Sequence, residues 1–146
     1  MTPEQKALVR ESWHRFEARI PNVGAQFYER LFALDPATQR LFAATDMVAQ
    51  ERKLLAMFAE IVRVLDRPED LVPEVAALGR RHVQYGVTDA HYPSVGAALL
   101  WTLEQVLGDE YSPELREAWS EAYLLVASVM RRATAHGPGL PRQVQP

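Results

Sequence analysis

Residues 78–87 read LGRRHVQYGV, and this stretch places His82 close to the end of a predicted helix. The helix is predicted to begin at Pro73 and to end at Gly86, since glycine readily adopts the left-handed conformation that often follows a helix. His82 lies four residues after Leu78 and therefore on the same apolar face. A histidine in this position can hold a flat metal cofactor from one side, although a lone histidine on a helix is more often structural or exposed to solvent.

The remaining sequence is also helical in pattern. Apolar residues recur at helical spacing along nearly the whole chain, without sustained period-two alternation, which predicts an all-α fold. Caps, prolines and glycines predict seven helices in order. They are a helix capped by Thr2, a helix that begins after Pro21 and runs to about Leu34, a short helix from Asp35-Pro36 to near Phe42, a helix from about Ala49 to Leu65, the helix carrying His82, a helix from Pro93 to Leu107, and a last helix capped by Ser112. About seven helices are therefore expected in one domain of residues 1–135, followed by a flexible tail of residues 136–146.

Composition narrows the classes of function. The chain has 146 residues, of which 48% are hydrophobic and 24% charged, as is typical of one globular domain. It has no cysteine, which excludes disulfides, thiolate zinc sites and cysteine nucleophiles. The net charge of -3 argues against a nucleic-acid partner. The apolar runs are too short for a membrane span and no signal-peptide pattern opens the chain, so we expect a cytoplasmic protein without stable membrane insertion.

The four histidines differ in their surroundings. His14 lies among charged residues, His91 lies in a connection between helices, and His136 falls in the predicted tail. No pair of histidines, or of a histidine and a carboxylate, stands at helical spacing on a common apolar face, which argues against an all-protein zinc or di-iron site. His82 alone has an apolar face behind it. A single histidine is sufficient to hold haem, because the porphyrin supplies four of the bonds to the iron.

A tyrosine far upstream suits the opposite face of such a cofactor. Tyr28 has apolar neighbours along its helix, namely Phe27, Leu31 and Phe32. Its ring should therefore be buried, and a buried phenol needs a hydrogen-bond partner. Gly24, one turn earlier, is unfavourable within a helix and indicates a close crossing with another helix. On these observations alone, Tyr28 could equally be a core tyrosine bonded to the backbone.

Three more residues complete the upstream group. Gln50 stands at the head of an apolar stripe that continues with Leu54, Met57 and Ile61. It places an amide where the helix face otherwise becomes apolar, a position that is also common for a cap or a surface residue. Phe42, just before a predicted loop, is by itself simply a core residue.

Taken together, these segments resemble a known family. The strings FYERLF at 27–32, RLF at 40–42, QERKL at 50–54, GRRH at 79–82, YGV at 85–87 and HYPSVG at 91–96 are similar to bacterial single-domain globins of the flavohaemoglobin line, the Hell's Gate type among them. The resemblance extends from about Thr2 to Arg132. It implies a three-over-three globin fold that encloses non-covalent haem b between the helix from Ala49 and the helix that ends at His82.

The resemblance also implies roles for individual residues. His82 would be the proximal iron ligand, Phe42 would wedge the porphyrin, and three residues would face the bound gas, namely the donors Tyr28 and Gln50 and the apolar Leu54. Further cofactor contacts are implied for Lys53, Arg81, Val87 and Tyr92, although Lys53 and Arg81 fit a solvated basic face equally well. The other ring nitrogen of His82 needs an acceptor, for which the candidates are a backbone carbonyl near Leu78 and Tyr92.

The implied function is reversible binding of dioxygen, nitric oxide and carbon monoxide, for oxygen storage or scavenging or for nitric oxide detoxification. The alternatives are a nitric oxide dioxygenase working with a separate electron-donating reductase, and a haem-based gas sensor. The chain departs from flavohaemoglobins in two respects. The position of their glutamate beside the proximal histidine falls near His136, where no carboxylate stands. We also expect no flavin-binding reductase after Pro146. We therefore expect slow peroxide turnover and an external source of electrons.

Overall fold

The computed structural model describes residues 1–19, 23–84 and 86–135, and within these ranges all regular structure is helical. Six α-helices are present: α1 (Pro3–Glu17), α2 (Val23–Leu34), α3 (Met47–Val64), α4 (Pro68–Gln84), α5 (Tyr92–Leu107) and α6 (Pro113–Ala135). Three 3-10 helices span Pro36–Phe42, Asp89–His91 and Gly108–Glu110. The all-α prediction is confirmed, and the six α-helices with the longest 3-10 helix make up the seven expected. The predicted tail, 136–146, lies outside the described residues.

Local hydrogen bonds explain where several helices begin and end. Gln5 N–H donates to Thr2 Oγ1 at 3.1 Å while Thr2 N–H donates to Gln5 Oε1 at 2.9 Å, which is the predicted capping box. Ser112 Oγ accepts from the backbone N–H of Leu115 at 3.1 Å at the start of α6. Gly86 follows α4 with a φ of 92°, a conformation that ends a helix and that glycine adopts without strain.

The start of α4 differs from the prediction. The helix begins at Pro68, and Pro73, which was expected to open it, lies inside it. A proline within a helix removes one backbone hydrogen bond and crowds the preceding turn. Leu71 and Val75, on either side of Pro73, are both buried in the core. Burial of these two side chains offsets the unfavourable effect of Pro73 on the helix. Local sequence patterns do not show this burial, because it depends on residues far away in the chain.

Two aspartates also behave differently from the prediction. Asp35 makes no side-chain cap, and its carboxylate instead accepts a hydrogen bond from Ser94 Oγ at 3.0 Å. Asp46 caps α3 by accepting from the backbone N–H of Val48 at 3.1 Å. For this reason α3 begins at Met47, two residues before the expected start.

In the described chain, α1 packs against α6, α3 and α5, α2 packs against α5 and α3, and α4 packs against α6 and α3. The interface between α4 and α6 is the most extensive between any two described elements. None of the described helices is both long enough and apolar enough to cross a lipid bilayer.

The buried side chains form two separate groups. The first core cluster joins residues of α1, α2, α3, α5 and α6, including Trp13, Phe27, Tyr28, Leu54 and Trp119. The second core cluster is centred on α4 and α6 and includes Ile61, Val75, Leu78, Tyr92 and Met130. Met57 packs against both clusters. The interior is therefore divided into two clusters, and α3, α5 and α6 contribute residues to both of them.

Candidate functional site

His82 lies half-buried in the last turn of α4. Its Nδ1 is 2.8 Å from the backbone oxygen of Leu78. Because a carbonyl oxygen can only accept, Nδ1 carries the proton and the ring lone pair lies on Nε2. Burial lowers the pKa of His82, outweighing the hydrogen bond to Leu78, and the nearby Arg81 charge lowers it further. The imidazole is therefore neutral at physiological pH, which is the form that binds metals. The expected partnership with Leu78 is confirmed.

Tyr28 and Gln50 are in direct contact. The Gln50 amide nitrogen Nε2 donates to the Tyr28 hydroxyl oxygen at 3.1 Å. Tyr28 is only 5% exposed, and this burial raises the pKa of its phenol, against a smaller lowering by the hydrogen bond from Gln50. The phenol is thus protonated at physiological pH. Since its oxygen accepts from Gln50, its own hydrogen points away from Gln50 and can donate to another group.

This contact depends on a close crossing of α2 and α3. A Cβ added at Gly24 would stand 2.7 Å from the Cβ of Glu51 and 3.3 Å from its Cα. Glycine avoids this overlap, so the helix that carries Tyr28 can lie against the turn of α3 that carries Gln50. The close crossing expected from Gly24 is confirmed.

Phe42 and Leu54 form the apolar surroundings of this pair. The rings of Phe42 and Tyr28 meet edge to face, with their centroids 5.2 Å apart. Leu54, one turn after Gln50 on α3, is buried in the first core cluster together with Tyr28. The structure therefore brings Gln50 and Phe42 into contact with Tyr28 and places Leu54 in the same core cluster.

A cleft of about 140 Å³ opens between α3 and α4. Its described lining residues are Met57, Glu60 and Ile61 from α3 and Glu74, Val75, Leu78 and Arg81 from α4. Met57 and Ile61 continue the stripe that begins at Gln50, while Leu78 and Arg81 flank the turn that carries His82. The cleft thus has apolar walls and charged groups at its edge.

The other predicted cofactor contacts divide into two groups. Tyr92 is buried in the second core cluster, Val87 packs against that cluster, and Arg81 lines the cleft. Lys53 is exposed on α3 and is not among the described residues that line the cleft. For Lys53, the solvated basic face is the simpler interpretation.

Two residues of α6 near this site were missed by the sequence analysis. The Tyr123 hydroxyl donates to the backbone oxygen of Tyr92 at 2.6 Å. The guanidinium of Arg131 lies 4.8 Å from the centroid of the Tyr92 ring. Tyr123 and Arg131 are eight residues apart and so share a face of α6, but this spacing does not identify the partner that they meet.

The chemistry of these residues fits haem. One neutral histidine with a defined tautomer borders the second core cluster, as a single protein ligand to iron requires. Two polar groups, a phenol and an amide, lie at the first core cluster within otherwise apolar surroundings. No cluster of three or more histidine or acidic ligands that could hold a bare metal ion occurs in the described part of the chain.

Comparison with known proteins identifies a family for the chain. The sequence profile of the globin family matches residues 25–130. A flavohemoprotein of Deinococcus radiodurans is 35% identical over 132 residues, covering 89% of this chain and 33% of that protein. The chain thus spans about a third of the length of this relative. A leghemoglobin of Medicago sativa is 31% identical over 142 residues, covering 90% of this chain and 97% of the leghemoglobin.

A solved structure confirms the fold. The crystal structure of a hexacoordinated heme protein from an anhydrobiotic tardigrade superposes with a TM-score of 0.82, covering 93% of this chain and 96% of the other. Sequence identity between the two is 17%, so the likeness concerns the fold alone. The predicted globin fold is confirmed.

Proposed function

The chain belongs to the globin family, and from this premise we propose that it holds haem b and through it binds dioxygen and other diatomic gases reversibly. The observation that carries the proposal is the pairing of a neutral, oriented histidine at one core cluster with a phenol–amide pair at the other. When bound, haem supplies an iron that has four bonds to the porphyrin, one to a protein ligand, and one position for a gas.

On the histidine side, the chain supplies orientation. The Leu78 carbonyl accepts the Nδ1 proton of His82 at 2.8 Å, which directs the Nε2 lone pair away from the helix backbone. Burial keeps the ring neutral, so no proton has to be displaced before the ring can act as a ligand. Val87 and Tyr92, at the second core cluster, would limit the access of water to this side.

On the gas side, the chain supplies a directed donor. The Gln50 amide occupies an acceptor position of the Tyr28 oxygen and so directs the phenolic hydrogen elsewhere. A hydrogen bond to a polarised acceptor is stronger than one between neutral groups, so this donor favours dioxygen, which draws electron density, over carbon monoxide. Leu54 and Phe42 would exclude water and so slow the oxidation of the iron.

The cleft lies between α3, which carries Gln50, and α4, which carries His82, and we expect part of the haem to bind there. Met57, Ile61 and Leu78 line the cleft with apolar surface, and Arg81 at its edge would pair with a propionate.

The finer expectations are part of the same proposal. The chain would act in the cytoplasm in the manner of single-domain globins of the flavohaemoglobin line, similar to the Hell's Gate type. Dioxygen, nitric oxide and carbon monoxide would be its ligands, and its use would be oxygen storage or scavenging. A second candidate is nitric oxide dioxygenation with a reductase as electron donor, which the similarity to a flavohemoprotein favours. The yield of nitrate per electron donated would distinguish the two.

The test is an absorption spectrum of the purified, haem-supplemented protein and of His82→Ala. Wild type should bind haem and respond to carbon monoxide, whereas His82→Ala should lose stable haem because its proximal ligand is gone. His14→Ala is the matched control, since His14 is exposed on α1. A His82→Ala protein that keeps a five-coordinate ferrous spectrum without added imidazole would refute the proposal.

A further inference from the structure

Gly79 marks a point where α4 and α6 touch through their backbones. A Cβ added at Gly79 would stand 2.8 Å from both the Cα and the backbone oxygen of Met130, and 3.0 Å from its Cβ. Two of these three atoms belong to the backbone of α6, so no side-chain rotation can relieve the overlap. Gly79 is buried, and its contact lies within the most extensive helix interface of the described chain.

The contact of Gly79 with α6 lies next to the carbonyl group that orients His82. The carbonyl that accepts the Nδ1 proton of His82 belongs to Leu78, and the same peptide unit contains the nitrogen of Gly79. A peptide unit is planar and moves as one body. Any displacement of Gly79 from α6 therefore displaces the acceptor of His82 as well as the helix that carries its ring.

Arg131, the residue after Met130 on α6, contacts the part of the chain that follows His82. The Arg131 guanidinium stacks 4.8 Å from the ring centroid of Tyr92, the first residue of α5. Its Nε is shielded from solvent and lies 4.0 Å from Asp89 Oδ1 in the connection between α4 and α5. Tyr123 adds a hydrogen bond from its hydroxyl to the Tyr92 carbonyl at 2.6 Å. The adjacent residues Met130 and Arg131 of α6 thus meet α4 before His82 and the segment after His82, respectively.

We propose that Met130 and Arg131 form an anchor on α6 that sets the position of His82 relative to haem, with Gly79 and Arg131 as positioning residues. The inference rests on the proposed function, because it concerns the same histidine. The His82 ring would be held by contacts of the chain before it and after it. A shift in either contact would strengthen or weaken the bond between the ring and the iron. Because His82 would bind the iron directly, a change in that bond would alter the dissociation of dioxygen and of carbon monoxide together, whereas a change at Tyr28 would act mainly on dioxygen.

The experiment measures the iron–histidine stretching band of the ferrous, ligand-free protein by resonance Raman spectroscopy, with dioxygen and carbon monoxide dissociation rates alongside. The test variants are Gly79→Ala and Arg131→Gln. Each has a matched control. Gly24→Ala makes the same substitution at the crossing of α2 and α3 and is a control for the iron–histidine band alone, because that crossing positions Tyr28. Arg132→Gln removes the neighbouring exposed charge of α6 and is a control for the band and for both rates. Both test variants should shift the band and change the two dissociation rates by a common factor of about five or more, the low end of coupling between separate sites.

The outcomes distinguish a failure of the proposed anchor from a failure of the proposed function. A wild-type protein that shows no iron–histidine band overturns the proposed function, and the anchor with it. A wild-type band in either test variant, once loaded with haem, overturns the anchor alone, as does an equal shift in the matched control. If Gly79→Ala fails to fold or to hold haem, Arg131→Gln decides by itself, because its position at the helix surface leaves the crossing of α4 and α6 intact.

Discussion

Removing the hydroxyl of Tyr28 isolates the contribution of one hydrogen bond to gas binding. In Tyr28→Phe the ring keeps its contacts with Phe27 and Phe42, whose centroids lie 5.0 and 5.2 Å away. The change is therefore confined to the phenolic hydroxyl, which accepts from Gln50 and which, in the proposed function, would donate to the gas. A hydrogen bond to a charged or strongly polarised acceptor contributes about 1.5–3 kcal/mol. At about 1.4 kcal/mol per tenfold change, dioxygen should dissociate roughly 10- to 150-fold faster.

The hydrogen bond from Gln50 to Tyr28 narrows the expected increase in the dioxygen dissociation rate. Gln50 Nε2 donates to the hydroxyl at 3.1 Å, and removing the oxygen leaves that amide free to turn toward the gas. Its donation would replace part of the lost interaction, so the single variant should fall near the tenfold end. Adding Gln50→Leu should then raise the dissociation rate further, beyond the product of the two single effects.

The assay is stopped-flow measurement of dissociation rates for dioxygen and carbon monoxide in the same variants. Carbon monoxide takes up far less charge, so its rate should change much less. Tyr111→Phe serves as a control, because it removes a solvent-shielded hydroxyl from a tyrosine outside the candidate site. If both gases leave Tyr28→Phe faster by one factor, the effect is steric and the reasoning fails. If neither rate changes, Tyr28 is a core tyrosine and Gln50 alone supplies the polar contact.

Two further predictions concern peroxide and acid. His82 donates to a neutral carbonyl, which gives the imidazole less electron density than a carboxylate partner, so turnover of hydrogen peroxide should be slow. A steady-state rate equal to that of a dedicated haem peroxidase would contradict this. Glu110 accepts from Arg15 and Arg19, and its hydrogen bond with Arg19 is the main reason that its pKa is lowered. As the pH falls, Glu110 therefore becomes protonated in the unfolded chain before it does so in the folded protein. The small stabilisation that its ion pairs give the folded protein should be lost as the pH falls below about 4.5, the ordinary glutamate pKa. Denaturant titrations of wild type and Glu110→Gln should converge at low pH; curves that stay parallel would contradict the assignment.

The sequence predicts the helices well because their signals are local. Periodicity and caps act over a few residues, and the Thr2–Gln5 capping box appears as expected. Pro73 failed as a helix start for the opposite reason, since burial of Leu71 and Val75 against distant residues decides where α4 begins. The same limit applies to Arg131, whose partner Tyr92 lies far away along the chain.

Residue types at the candidate site were predictable, but the distances between them were not. Tyr28 and Gln50 were expected near each other from the resemblance to globins, whereas the direction of donation, from amide to phenol, required coordinates. That direction decides which hydrogen is directed toward the gas. It also predicts that the two residues act as a unit rather than as independent donors.

The close helix crossings explain how such distances arise. Gly24, Gly79 and Gly96 all stand where a Cβ would come within 2.8 Å of a neighbouring helix. Each lies about one turn from a candidate site residue: Tyr28, His82 and Tyr92, respectively. Their neighbours differ, since Gly96 meets the Tyr123 ring and Gly24 meets mainly the Glu51 side chain, while Gly79 meets backbone. The Cβ of Glu51 is held by its backbone, as are the Cα and the backbone oxygen of Met130, whereas the Tyr123 ring can turn about its side-chain bonds. Alanine should therefore be tolerated least at Gly24 and Gly79 and best at Gly96. On this argument backbone contacts set the positions of the helices that carry Tyr28 and His82, while the crossing near Tyr92 depends on a side chain.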